Sequence, residues 1–261
     1  MNTAAVSATG VLSAPRVLAC HPHGSRIQLE MGGKNPLIVV DDADLNIAVN
    51  IAVNGAFFQC GQRCTSSSRL IVTEAIHDRF VAAMVERMKT LVIDDALTPG
   101  IDIGPVVDAK QLEKNLSYLD IGKREGATLA TGGERLKRGT DGFYMSPALF
   151  TETTNSMRLN TEEVFGPVAA VIRVKNYDEA LAVANDTPYG LSSGIATTSL
   201  KLASHFKRNS TSGLVMVNQP TAGLDYHVPF GGRKKSSYGP REQGSYAKDF
   251  YTILKTAYTA P

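Results

Sequence analysis

The sequence of 261 residues contains no tryptophan, only three cysteines and almost no net charge. Three cysteines in a chain of this length do not make a disulfide framework, so we expect free thiols and a reducing compartment, the cytoplasm. A formal charge of +2 gives no electrostatic reason to expect nucleic acid or an anionic membrane as a partner. The sequence also has no run of about 20 apolar residues, which predicts that no helix spans a membrane.

Apolar residues make up 43% of the chain and charged residues 20%, which is typical of a folded protein with a substantial core. The opening residues 1–20 are small and apolar but lack a basic start, so we do not expect a signal peptide. Cys20, His21 and His23 are metal-type side chains close in sequence. No second ligand pair stands at a suitable spacing, so we expect no metal site.

Apolar runs and helical periodicities alternate along the chain. The expected strands are 36–40, 69–73, 128–130, 168–174, 194–197 and 213–218, and the expected helices are about 44–57, 76–91, 109–125, 178–185 and 200–207. Glycines predict a hairpin around 131–142, and a long ordered loop is expected over 221–240. Strands separated by helices predict an α/β fold, with a mainly parallel sheet and flanking helices.

The C-terminal residues carry two further signals. Ser245 is expected to cap a short helix that reaches Phe250. Residues 251–258 alternate in polarity, which predicts a half-exposed strand. A strand at the end of a chain needs a neighbour to pair with.

Cys64 lies in the polar run Gly61-Gln62-Arg63-Cys64-Thr65, between an expected helix and an expected strand. Taken alone, a free cysteine is more often a buried small hydrophobic residue than a nucleophile. A thiol attacks a carbonyl as the thiolate, and an ordinary pKa of about 8.5 leaves only a small fraction ionised at neutral pH, so a nearby carboxylate base helps. Glu30 is the candidate base, because Gly32 and Gly33 directly after it allow a close approach of backbone and cofactor.

Four runs, in this order, resemble the signature segments of the NAD(P)-dependent aldehyde dehydrogenase superfamily. They are Leu29-Glu30-Met31-Gly32-Gly33-Lys34-Asn35-Pro36, the run around Cys64, Thr161-Glu162-Glu163-Val164-Phe165-Gly166-Pro167-Val168, and Pro229-Phe230-Gly231-Gly232. The resemblance extends from about Arg26 to the C-terminus and covers half of a usual family member, without its N-terminal dinucleotide-binding domain. It is strongest for bacterial enzymes that act on semialdehydes, such as the ketoglutarate type.

The resemblance implies a poorly matched segment 1–25, a catalytic domain over 26–242, and a C-terminal helix with an oligomerisation-type strand over 243–261. It also implies that Cys64 attacks an aldehyde to form a thiohemiacetal, which loses hydride to NAD or NADP and becomes a thioester. Glu30 would then be the general base that activates the hydrolytic water.

Three further residues acquire roles by the same resemblance. Glu163 would hold the hydroxyls of the nicotinamide ribose, Phe165 would pack against the nicotinamide ring, and Asn218 would lie near the substrate pocket. Taken alone, Glu163 and Phe165 are more often a capping acid and a core aromatic before a turn at Gly166-Pro167. Asn218 is equally consistent with a residue at a strand end that bonds the local backbone.

Two other functions stay open. A cysteine hydrolase would use Cys64 with His205 or His227 as base, although nothing beside Cys64 matches a protease signature. An inactive, truncated fragment would fold and associate without turnover, because the family's asparagine oxyanion donor belongs to the half with no match here. Cys60 is expected to pack in the interior, or to form a reversible disulfide with Cys64 under oxidation.

The expected partners follow from the same reasoning. We expect a small-molecule aldehyde, no nucleic acid and no membrane. Loss of a partner domain would leave apolar surface exposed. We therefore expect a homo-oligomer, or association with a separate cofactor domain.

Overall fold

The computed structural model describes residues 26–261. Its strands are β1 (Leu29–Glu30), β2 (Asn35–Val39), β3 (Ser67–Thr73), β4 (Thr128–Thr131), β5 (Ala148–Thr153), β6 (Val168–Val174), β7 (Ser192–Ala196), β8 (Leu214–Val217) and β9 (Ser237–Tyr238). Its α-helices are α1 (Leu45–Phe57), α2 (Glu74–Lys89), α3 (Ala109–Arg124), α4 (Arg158–Thr161), α5 (Tyr177–Asn185), α6 (Leu200–Asn209) and α7 (Ala247–Tyr251).

Seven of the strands form one sheet in the spatial order β4, β5, β6, β3, β2, β7, β8. Every neighbouring pair is parallel except β4 with β5. Strands β1 and β9 form a separate antiparallel pair. The predicted α/β class with a mainly parallel sheet is therefore confirmed.

The sheet is covered by helices on both faces, and side chains of one central strand divide between the two layers. Leu37 and Val39 of β2 pack in a core with α1, α2 and α3. Ile38, between them, packs in the other core with α5 and α6. Alternate side chains of a strand point to opposite faces, so a continuous apolar run is typical of a strand buried on both sides.

The helix expected from residue 44 begins as its sequence indicates, because the Asp44 side chain accepts a hydrogen bond from the backbone N–H of Ile47 at 3.0 Å. The expected hairpin is also present: Gly133 donates to the carbonyl of Ser146, and Arg135 lies opposite Met145. Strand β5, directly after this hairpin, is a strand that the sequence pattern did not reveal. Its run Ala-Leu-Phe-Thr-Glu-Thr is short and follows a stretch rich in turn residues.

Two expectations for the C-terminus are wrong. Ser245 does not cap α7; it lies inside a 3₁₀ turn, Gly244–Tyr246, that runs directly into the helix, and no cap side chain bonds the helix start. Residues 251–258 do not form a strand: α7 ends at Tyr251, and the following residues have no regular structure and are exposed. Alternation alone does not make a strand, because a strand needs a partner for its backbone hydrogen bonds.

No helix among the described residues has the length and apolar character to cross a bilayer. The same residues contain no group of three or more His, Cys, Asp and Glu side chains arranged to hold a metal ion. The candidate ligands Cys20, His21 and His23 lie outside the described residues. Cys60 and Cys64 are both free thiols.

Candidate active site

A cleft of about 680 Å³ brings together four of the five residues singled out in the sequence: Cys64, Glu30, Glu163 and Phe165. Each of them precedes a strand of the sheet or lies in the short ribbon beside it. Cys64 comes before β3, Glu163 and Phe165 come before β6, and the segment of Glu30 leads into β2. The amino ends of neighbouring parallel strands meet at one edge, so these segments converge there. Open parallel sheets more often bind ligands at the carboxyl ends of their strands.

Cys64 is half-buried in the loop between α1 and β3, as the sequence predicts. Helix α1 passes into a 3₁₀ turn in which Gln59 and Cys60 both have left-handed backbones, with φ of 54° and 57°. Gly61 then has φ of 60°, and a Cβ there would lie 2.4 Å from the carbonyl oxygen of Gly166. Only glycine allows the loop of Cys64 to approach the segment before β6 so closely. The Arg63 guanidinium bonds the carbonyl of Asn54, which ties the loop to the end of α1.

Glu30 lies opposite Ser237 in the β1–β9 ribbon, and the Ser237 hydroxyl donates to Glu30 Oε2 at 2.7 Å. Burial raises the pKa of Glu30 to about 7, with the hydrogen bond from Ser237 acting in the opposite direction. Nearby Glu242 raises this pKa further, and Arg241 lowers it. Glu30 is therefore a partly buried carboxyl group with a raised pKa. Such a group is about half ionised at neutral pH and can take up a proton.

The pKa of the Cys64 thiol is raised, first by burial and then by the negative charges of Glu163 and Glu30. The backbone N–H groups of Cys64 and Thr65 face the sulfur and act in the opposite direction. A carboxylate near the thiol therefore has two effects. It can accept the thiol proton, yet while it stays ionised its charge disfavours the thiolate.

Glu163 points into the cleft and packs against the segment of Glu30. Its Oε1 accepts a hydrogen bond from the backbone N–H of Gly33 at 3.0 Å. Gly32 has φ of 106°, and a Cβ there would lie 2.4 Å from Glu163 Oε2. Burial raises the pKa of Glu163, opposed by the Gly33 N–H and by Lys34 and Lys114. The glycines after Glu30 thus leave space for this second carboxylate.

Glu162, the other glutamate of the pair, faces away from the cleft. Its carboxylate binds the Arg158 guanidinium at 2.9 Å and 3.0 Å and accepts from the Tyr118 hydroxyl at 2.5 Å. The chain therefore separates two adjacent glutamates, one for a surface ion pair and one for the cleft. The position of Glu163 agrees with the residue selected from the sequence; its role stays a prediction.

Gln111 and Lys114 also line the cleft, and the sequence analysis did not single them out. They lie three residues apart on α3 and bind consecutive backbone carbonyls. Lys114 Nζ donates to the carbonyl of Glu163 at 3.0 Å, and Gln111 Nε2 donates to Val164 at 2.9 Å and to Phe165 at 3.0 Å. Phe165 has a φ of 60°, a backbone conformation that is unfavourable for phenylalanine. The hydrogen bonds from Gln111 and Lys114 stabilise this conformation. The sequence did not mark Gln111 and Lys114, because such residues on a helix rich in Lys and Glu are typical of a solvated face.

Asn218 is exposed at the end of β8, with φ of 53°, and it is not among the residues that line the cleft. Its side chain binds both backbone groups of Thr197: Oδ1 accepts from the N–H at 2.9 Å, and Nδ2 donates to the carbonyl at 2.8 Å. These contacts agree with the simpler interpretation of a residue that bonds local backbone. A role in the substrate pocket stays a prediction.

The model of the aldehyde dehydrogenase family matches residues 1–257, which extends the match upstream of Arg26. The chain belongs to the aldehyde dehydrogenase family. It is 43% identical over 261 residues to the alpha-ketoglutaric semialdehyde dehydrogenase of Bacillus subtilis, covering 98% of this chain and 54% of that protein. It is 47% identical over 240 residues to the alpha-ketoglutarate semialdehyde dehydrogenase of Haloferax volcanii, and this match covers 90% of this chain and 49% of that protein.

Solved structures of this family match as well. The crystal structure of betaine aldehyde dehydrogenase from Staphylococcus aureus in complex with NAD+ superposes with a TM-score of 0.91 at 35% identity, covering 95% of this chain and 50% of that one. The chain thus spans about half the length of the aldehyde dehydrogenases that it matches.

The cleft carries the kinds of polar and aromatic groups that the nicotinamide half of a dinucleotide would need. Glu163 offers carboxylate oxygens of the kind that accept hydrogen bonds from ribose hydroxyls, and Phe165 offers a planar ring beside Cys64.

Neither candidate histidine of the hydrolase alternative lines the cleft. His205 Nδ1 lies 2.9 Å from the Tyr177 hydroxyl, on the pair of helices α5 and α6. His227 stacks edge-on with Tyr226.

Proposed function

We propose that this chain carries the nucleophile and the base of an enzyme that oxidises an aldehyde to a carboxylic acid with NAD or NADP. The observation that supports this most strongly is the convergence of Cys64, Glu30 and Glu163 on one cleft. The relatives from Bacillus subtilis and Haloferax volcanii are named as semialdehyde dehydrogenases, so we propose a semialdehyde as the substrate class.

Cys64 begins the reaction by attack of its sulfur on the aldehyde carbon, which gives a thiohemiacetal. The thiol proton leaves to a carboxylate of the cleft or to water, and the backbone N–H of Cys64 is a hydrogen-bond donor for the developing oxyanion. A nicotinamide bound in the cleft would supply the acceptor for the hydride of the thiohemiacetal carbon. The bond between Cys64 and the substrate is then a thioester, one oxidation level higher.

Glu30 completes the cycle as general base. With a pKa of about 7, its carboxylate takes a proton from water, and the resulting hydroxide attacks the thioester carbon. The carbon–sulfur bond breaks and the carboxylic acid leaves. The protonated Glu30 returns its proton to the departing sulfur, which restores both the Cys64 thiol and the ionised base. Ser237 holds one oxygen of Glu30 by its hydroxyl, which leaves the other oxygen for the water.

Glu163 and Phe165 position the cofactor in this proposal. The Glu163 carboxylate would accept hydrogen bonds from the ribose hydroxyls, and the Phe165 ring would pack against the nicotinamide. Gln111 and Lys114 support both residues by binding the backbone carbonyls of the segment 163–165.

We also propose a cytoplasmic location, because a reactive free thiol persists in a reducing compartment. The exposed apolar side chains after α7 favour self-association, since Ile253 is 66% exposed and Leu254 is 100% exposed. Light scattering by the purified chain tests the association, and a stable, compact monomer would contradict it.

The decisive experiment is the initial rate of NADH and NADPH formation by the purified chain with a panel of aldehydes and semialdehydes. We expect turnover that disappears in Cys64→Ala and persists in Cys60→Ala, since burial raises the pKa of the Cys60 thiol to about 11 and keeps it protonated. Product release without cofactor would favour the hydrolase. No turnover, with Cys64 still open to a thiol reagent, would favour a folded chain that is inactive by itself.

A further inference from the structure

Asn35 is the first residue of β2, and its side chain is buried at 2% exposure beside the nucleophile loop. Its Nδ2 donates to the carbonyl of Cys64 at 2.7 Å and to the carbonyl of Ser66 at 2.9 Å. Its Oδ1 accepts from the backbone N–H of Ser192 at 3.0 Å. Both donor hydrogens of this amide are therefore used by one turn, and an acceptor position is used by the backbone of a second segment.

These bonds join three neighbouring strands at their amino ends. Asn35 begins β2, Ser192 begins β7, and the two carbonyls lie in the turn that enters β3. The contact with the nucleophile loop is tight, because a Cβ at Gly33 would lie 2.8 Å from both Asn35 Oδ1 and the Cys64 carbonyl oxygen. The loop of Cys64 is thus held directly against the segment that carries Glu30.

The bond to the Cys64 carbonyl also sets the orientation of a functional N–H. The peptide between Cys64 and Thr65 is trans, so its carbonyl and its N–H point in opposite directions within one rigid plane. Asn35 binds the carbonyl on one side, and the Thr65 N–H faces the Cys64 sulfur on the other. An N–H that faces a thiolate stabilises it. Rotation of this peptide would remove both contacts together.

We propose that Asn35 is a positioning residue, whose side-chain amide aims the Thr65 N–H at the Cys64 sulfur and fixes the nucleophile loop relative to Glu30. This inference rests on the proposed function only in that Cys64 is the nucleophile. Asn35 itself touches neither substrate nor cofactor in this role. Its effect passes through the Cys64–Thr65 peptide.

The test is the rate of Cys64 alkylation by iodoacetamide as a function of pH, followed by peptide mass spectrometry on the 261-residue chain. The variants are Asn35→Asp, which keeps the shape and an acceptor for Ser192 but loses both donors, and Asn35→Ala, which removes the amide without adding charge. Cys64→Ala gives the background from Cys20 and Cys60. Alkylation needs neither aldehyde nor cofactor, so a chain without dehydrogenase activity still gives an answer.

The matched control is Asn185→Asp. The Asn185 amide also joins separate backbone segments, since Nδ2 donates to the carbonyl of Asn209 at 3.0 Å and Oδ1 accepts from the Thr211 N–H at 2.9 Å. It lies at the end of α5 and is not part of the cleft. The control therefore reproduces the loss of a bridging amide without the link to Cys64.

We expect both Asn35 variants to alkylate Cys64 about tenfold more slowly near neutral pH, the size of effect that follows loss of a hydrogen bond to a charged group. Their rate profiles should shift to higher pH, whereas Asn185→Asp lowers the melting temperature and leaves the profile unchanged. A variant that is folded by circular dichroism and alkylates with the wild-type profile would overturn the proposal. If Asn35→Asp does not fold, the circular dichroism and the alkylation profile of Asn35→Ala test the proposal in its place.

Discussion

The Glu163 carboxylate accepts a hydrogen bond from the backbone N–H of Gly33, three residues after Glu30, at 3.0 Å. Two acidic side chains far apart in sequence thus share one short stretch of backbone beside Cys64. Their charges disfavour the thiolate, while the N–H groups of Cys64 and Thr65 favour it. The balance between these groups sets the reactivity of the thiol.

Gly32→Ala should displace Glu163, because the new Cβ would lie 2.4 Å from Oε2. Gly126→Ala is the matched control, since Gly126 has φ of 95° and no atom lies within 4 Å of its added Cβ. A non-glycine residue at positive φ costs on the order of 1–2 kcal/mol, so both variants should lose stability in thermal denaturation. Only Gly32→Ala should weaken NADH binding in a fluorescence titration. Equal affinity in both variants would contradict the assignment of Glu163 to the cofactor.

Glu163→Gln should make Cys64 more reactive towards iodoacetamide near neutral pH. The Glu163 charge raises the pKa of the thiol, so its removal lowers that pKa and increases the thiolate fraction. Glu30→Gln should act in the same direction but less strongly, because the Glu163 charge has the larger influence on Cys64. Glu162→Gln is the control, since Glu162 binds Arg158 and Tyr118 outside the cleft. An unchanged rate in Glu163→Gln would show that its charge does not reach the sulfur.

Ser237→Ala should move the acid side of the pH–kcat profile to higher pH. The hydrogen bond from Ser237 lowers the pKa of Glu30, so its loss raises that pKa above about 7. A general base works when ionised, and the rate therefore rises with pH as Glu30 loses its proton. Ser245→Ala, at an exposed site, should keep the wild-type profile. If Ser237→Ala and Ser245→Ala have the same acid side of the pH–kcat profile, Glu30 is not the group whose titration controls the rate.

Lys34→Met should change how stability depends on pH. Burial lowers the pKa of Lys34 from its usual 10.5 to about 7, with the Arg69 charge adding to the effect. Between pH 7 and 10.5 the Lys34 amine is protonated in the unfolded chain but not in the folded chain. The free energy of unfolding should therefore rise with pH in this window, by up to about 1.4 kcal/mol per pH unit. Urea unfolding at several pH values in this window should give a smaller slope for Lys34→Met. Lys89→Met, at a 59% exposed site, should retain the wild-type slope.

Much of the fold was predictable because its signals are local. The apolar run 36–40 predicted a buried strand, and the helical periodicity over about 44–57 predicted α1. Strand β5 was missed because Ala148–Thr153 is short and mixed in polarity. Residues 251–258 were predicted as a strand from alternation alone, yet their backbone has no partner strand among the described residues.

The sequence by itself determined most of the strands and helices, and its short motifs marked Cys64, Glu30, Glu163 and Phe165 through their resemblance to a known family, because propensity, periodicity and short motifs are properties of neighbouring residues. Only the tertiary structure decided that their segments meet at the amino ends of adjacent parallel strands. It also decided that side chains without a motif, such as Asn35 and Gln111, bind the backbone beside them. Such contacts join residues far apart in sequence, and they depend on the order and register of the sheet, which no local pattern specifies.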